Sequence, residues 1–132
     1  MMVHYLAYSD LDRAMPELGG PVAALLDCED ERHRGNGLLR TAVESLIEAG
    51  CVYFVSFGPR AEEVHDFIDD LLAYAGLKDI MTTFHDEETA EDVANFFVAI
   101  AMQKVREGLT LSGERNRWEG VFARIDGGEI SP

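Results

Sequence analysis

The feature that most constrains this chain is an alternation: short, nearly continuous apolar runs, each followed by a longer stretch whose apolar residues recur at helical spacing. Val22-Ala23-Ala24-Leu25-Leu26-Asp27, introduced by Gly19-Gly20-Pro21, offers water no polar face and reads as a strand covered on both sides. After a loop of eight or nine residues, Leu39, Val43, Leu46 and Ile47 repeat at helical spacing. Gly50 stands where a left-handed C-terminal cap belongs, so a helix is predicted from about Gly37 to Ala49.

The pattern then recurs twice. Cys51-Val52-Tyr53-Phe54-Val55-Ser56-Phe57 is rich in β-branched and aromatic residues and ends at Gly58-Pro59, where proline suits a helix start. The following helix sets Val64, Phe67, Ile68, Leu71, Leu72 and Ala75 on one stripe and Glu62, Glu63, Asp66, Asp69 and Asp70 opposite, with Gly76 to close it. A third unit opens with the buried strand Ile80-Met81-Thr82-Thr83-Phe84 and passes through His85-Asp86-Glu87-Glu88. Its helix carries Val93, Phe96, Phe97, Ile100, Ala101 and Val105, with Gly108 as the expected stop. Thr89 followed by Asp92 approximates a capping box, and Glu87, Glu88, Glu91 and Asp92 are accounted for as the acidic start of that helix.

Strands alternating with helices imply right-handed parallel βαβ units. The fold class expected is therefore α/β: a three-layer α/β/α sandwich with a mainly parallel sheet of three βα units, Rossmann-like or flavodoxin-like. One domain spans 1–132, with its core in 22–108. A terminus is expected to add an edge strand, from Tyr5 to Tyr8 or from Gly120 to Ile125, the second with a terminal helix as competitor. Residues 109–132 are otherwise left open.

Charge narrows the partners. At 132 residues and a net charge of −14, the chain lacks the cationic surface through which nonspecific nucleic-acid binding releases counterions. From Glu62 to Asp92 there are eleven carboxylates against one lysine, whereas Lys104 to Arg124 holds five basic and three acidic residues. That asymmetry allows self-association as a homodimer, one copy's C-terminal segment meeting the acidic face of another; a solvated acidic surface is the plainer reading. No apolar run approaches the roughly 18 to 20 residues of a membrane span, and a cytoplasmic location is expected. Cys28 and Cys51 fall at opposite ends of neighbouring strands, roughly 20 Å apart, and are read as buried thiols in a reducing compartment.

Chemistry in an open α/β sheet gathers outside the carboxyl ends of its strands. That edge collects Asp27, Glu29 and Asp30, then Ser56, Gly58 and Arg60, then His85 and Asp86. Asp27 with Asp86 is a candidate site for a divalent cation such as magnesium, with His85 and Asp86 as catalytic candidates and His85 the general base. Arg34-Gly35-Asn36-Gly37 lacks either glycine signature for phosphate, and its acidic neighbours would repel an anion. Ser56 lacks the glycine of a nucleophile elbow, Cys28 has carboxylate neighbours that disfavour a thiolate, and Trp118 and Tyr53 read as packing residues.

The strand-helix order invites comparison with phosphoacceptor receiver domains, but the acceptor aspartate after the third strand and the late lysine have no equivalents. More specifically, "EAGCVYFVSFG" and "IMTTFHDEETAEDVANFFV", within residues 22–101, resemble an uncharacterised bacterial family of unknown function. In it a strand opens with Gly-Cys, and a later one ends in Met-Thr-Thr-(Trp or Phe)-His followed by acid. Phe84 stands where its pattern has tryptophan. The resemblance implies the α/β fold and no activity. The function expected is thus a small binding or regulatory module acting through protein contacts, without catalysis. The alternative is a metal-assisted hydrolase or phosphoryl-handling enzyme using Asp27, Asp86 and His85.

Overall fold

The computed structural model describes residues 2–7, 21–28, 38–113, 115–125 and 129–130. Strand β1 (Met2–Leu6) is followed by β2 (Val22–Asp27), helix α1 (Leu38–Glu48), β3 (Cys51–Phe57), α2 (Ala61–Tyr74) and β4 (Met81–His85). Helix α3 (Ala90–Phe96) continues as a π-helical stretch, Phe97–Ala101, before β5 (Glu107–Leu111), α4 (Arg115–Ala123) and the short β6 (Glu129–Ile130). All pairings are parallel, in the order β4-β3-β2-β5-β1-β6.

That order explains the layers. From β2 through β3 to β4 the chain steps one way along the sheet, and right-handed crossovers put α1 and α2 on the same face. The step from β4 back to β5 reverses direction, so α3 lies on the opposite face. The core is split accordingly. Val22, Ala24 and Leu26 pack with Leu39, Val43 and Leu46 of α1 and with Val64, Ile68 and Leu72 of α2. Ala23, Leu25, Val55 and Phe57 pack with Val93, Phe97, Met102, Trp118 and Phe122. All six residues of β2 are buried, as a strand covered on both faces must be.

Local signals hold where they were strongest. Gly50 and Gly76 adopt positive φ at the ends of α1 and α2, +92° and +73°. The Thr89 hydroxyl accepts from the Asp92 backbone N–H at 3.1 Å, capping α3. Neither Cys28 nor Cys51 is in a disulfide, and both are buried.

Three expectations are corrected. Gly108 does not stop a helix: it sits inside β5, which lies between β2 and β1, so the core extends past 22–108 at both ends. A side chain there would force Met102 and Phe97 to move, because a Cβ would lie 2.6 Å from the Met102 sulfur and 2.8 Å from the Phe97 ring. Residues 120–125 form no strand; Val121 and Phe122 are buried on α4, and the outermost strand beside β1 is β6. The third strand of the sequence reading starts one residue later, includes His85, and is an edge strand on which Met81 and Phe84 are exposed. The segments around Glu29, Asp30 and Arg34-Gly35-Asn36-Gly37, and Tyr8, lie outside the described residues.

Candidate functional site

The carboxyl edge brings three strand ends into line. Asp27 of β2 pairs with Phe57 of β3, and Phe57 with His85 of β4, so all three stand level on the face covered by α3 and α4. Two strand spacings place Asp27 and His85 about 10 Å apart, and Phe57 occupies the position between them. The alignment therefore does not make Asp27 and Asp86 neighbours across adjacent strands.

Asp27 lies where the strand order reverses, between β2 and β5, the place at which doubly wound sheets take ligands. Here protein groups fill it. The Asp27 carboxylate is buried, and its Oδ2 accepts from the Ser112 hydroxyl at 2.8 Å and from the Trp118 indole N–H at 2.8 Å. Both donors come from the far end of the chain: Ser112 follows β5 directly, and Trp118 is the fully buried anchor of α4. An indole N–H can only donate, so it fixes this oxygen as an acceptor. The Trp118 ring meets Phe57 edge to face at 5.3 Å, and the Arg117 guanidinium lies over both rings, 5.3 Å from Phe57 and 5.7 Å from Trp118.

His85 is held by its own neighbourhood. Its Nδ1 lies 2.8 Å from Glu88 Oε1, its Nε2 3.1 Å from the Thr83 hydroxyl, and its ring rests 4.6 Å from that of Phe96. A carboxylate only accepts, so Nδ1 is the donor to Glu88, and in the corresponding neutral tautomer Nε2 accepts from the Thr83 hydroxyl. A general base at Nε2 would require Thr83 to turn away. Glu88 was accounted for as helix-start charge; it also orients this ring. Asp86, the next residue, is exposed.

The other edge residues are structural or silent. Ser56 is buried and its hydroxyl has no hydrogen-bond partner among the described residues. Arg60 pairs with Glu63 at 3.2 Å. The Cys51 thiol, at the opposite edge, is pushed up to about 12 by burial and donates to the Tyr53 carbonyl. No group of three or more His, Cys, Asp and Glu side chains able to hold a metal ion occurs among the described residues. No described helix is long and apolar enough to cross a membrane.

The sequence reading thus found Asp27 and His85 but missed what each touches. Trp118 was read only as a packing residue, and Ser112 was given no role at the site. The one cue was that a buried carboxylate at a strand end requires donors, and the chain has a single tryptophan.

The family model of a domain of unknown function (DUF7684) matches residues 3–112. The match thus takes in β1 to β5 and Ser112, while Trp118 lies past it. No curated protein and no solved structure matches the chain.

Proposed function

The chain belongs to the DUF7684 family, whose description attaches no activity to it, and from that premise we propose that it is a binding module acting through protein contacts, without catalysis. One observation carries the reading. The outer side of β4 pairs with no strand among the described residues, and it presents Met81 at 56% and Phe84 at 38% exposure, with Tyr74 at 94% on the helix before it. Exposed large apolar side chains on both faces of an open sheet edge mark an edge that another chain can cover. The carboxyl edge supports the same reading by contrast, since Asp27 and both nitrogens of His85 are engaged within the protein.

Selection of a phage-displayed random peptide library against the immobilised protein tests this. Enriched peptides are expected to lose at least tenfold in affinity for Met81→Lys and Tyr74→Lys. They should bind Ile100→Lys unchanged, because Ile100 is an exposed apolar residue on a different element. A library that yields no sequence sensitive to the first two changes would count against the module. A thermal shift with magnesium, manganese or zinc that Asp27→Asn abolishes would move the case to the metal-assisted hydrolase.

A further inference from the structure

Edge strands in parallel sheets leave the N–H and C=O of every second residue facing outward, ready to pair with another chain. Proteins that do not use such an edge protect it with lysine, proline, a bulge or a cover. β4 is short, but Met81-Thr82-Thr83-Phe84-His85 contains no lysine and no proline, and its register with β3 runs without a shift. The strand is also held firm from behind. The Thr82 hydroxyl donates to the Asp69 carboxylate of α2, and the His65 ring meets the Phe84 ring edge to face at 5.0 Å. Beside the start of the strand a groove of about 320 Å³ is lined by Leu72, Ala73, Leu77 and Ile80, with Asp69 and Lys78 at its polar side.

The surroundings select the occupant by charge. Asp79 precedes the strand, Asp86, Glu87 and Glu88 follow it, and Asp66, Asp69 and Asp70 lie on the helix packed behind it; Lys78 is the one basic residue in that stretch of sequence after α2. A two-fold contact between the β4 edges of two copies would set these carboxylates against one another. Nor does the chain's own basic stretch fit an open edge, because residues 115–123 are helix α4, anchored by buried Trp118, Val121 and Phe122. At the sheet's other edge, the described strand is β6, Glu129–Ile130.

We infer that the outer edge of β4 accepts, as a seventh strand, an extended segment of a different protein in which basic residues alternate with apolar ones. This rests on the protein-contact reading and adds to it the mode of binding and the class of partner. Main-chain hydrogen bonds supply the ladder; because strand side chains alternate between faces, the apolar row of the segment meets Met81 on the α3 face, while its cations on the other face meet the carboxylates of α2 beside Phe84.

The test uses three synthetic peptides with the full chain: Lys-Val-Lys-Val-Lys-Val-Lys, the same with proline replacing each valine, and the same with glutamate replacing each lysine. Binding is followed by titration, and its place by amide hydrogen exchange. The first peptide is expected to bind and to slow exchange within residues 81–85. It should lose at least fivefold in affinity between 50 and 500 mM sodium chloride, and at least tenfold for the double change Met81→Lys, Phe84→Lys. The proline peptide, with equal charge and no ladder donors at alternate positions, should bind at least tenfold more weakly. Equal binding of the proline peptide, or exchange slowed elsewhere only, overturns strand addition. Equal binding of the glutamate peptide overturns the basic partner. Protection of 81–85 in a self-associated protein without peptide identifies a second copy as the occupant and overturns a different protein. Display peptides that lose affinity with Met81→Lys and Tyr74→Lys yet leave exchange of residues 81–85 unchanged would leave the protein-contact reading standing while this inference fell.

Discussion

Asp27 and His85 stand level on one face of the sheet, two strands apart, and are secured in opposite ways. The partners of Asp27, Ser112 and Trp118, are 85 and 91 residues further along the chain. Those of His85, Thr83 and Glu88, are two and three residues away. The first arrangement exists only when β5 and α4 have docked, so it reports on the whole fold. The second forms as soon as the strand end turns toward α3. A carboxylate tied across the sheet is a structural keystone, whereas a histidine tied locally orients one turn of chain.

The sharpest way to break this contrast is Trp118→Ala. It removes a fully buried indole and leaves Asp27 short of a donor, and a loss of about 3 to 5 kcal/mol is expected by urea denaturation. Asp27→Ala should follow at about 2 to 4 kcal/mol, since each orphaned buried donor costs roughly 1 to 3 kcal/mol. Asp27→Asn, which keeps the shape and one acceptor oxygen, should fall between Asp27→Ala and the wild type. A double-mutant cycle between Asp27 and Trp118 is expected to show coupling of about 0.5 to 3 kcal/mol, and additivity would show that the hydrogen bond does not join the two ends of the chain.

His85→Ala is expected to cost less, about 1 to 2 kcal/mol for two hydrogen bonds and a ring contact. Its effect on hydrogen exchange should be confined to residues 81–96. A spread into β5 or α4 would contradict the local character of the His85 site.

One further effect is confined to alkaline pH. Burial holds the Cys51 thiol near 12, against an ordinary value of 9.0. Between those values the unfolded chain gives up this proton first, so the contribution is intact below pH 9 and declines as pH rises toward 12. In Cys51→Ala the alkaline slope of stability should be shallower over that window. Cys51 should also resist alkylation until the chain unfolds, because the thiolate is the reactive form.

Some of this was legible without coordinates. The runs at Val22–Asp27 and Cys51–Phe57, the helical stripes after them, the glycine caps and the Thr89 cap all rest on interactions within a few residues, and periods of two and 3.6 write them into the chain. β5 was not legible: Glu107-Gly108 breaks the apolar run, and a glycine after a helical stripe signals a cap. Only the docking of Phe97 and Met102 over Gly108 explains that glycine, because the preceding helix must fold back onto the strand before the contact exists, and that leaves no local period.

The order of apolar residues sets the strands and helices of this protein, since burial on both faces or on one stripe follows from it. It also determined that Asp27 and His85 would stand at the carboxyl ends of strands. Tertiary structure alone decided that β5 enters between β1 and β2, that Trp118 and Ser112 close over Asp27, and that β4 is left at the edge with its acidic surroundings. Pairing partners are chosen by contacts between segments far apart in the chain, and those contacts exist only once the sheet has assembled.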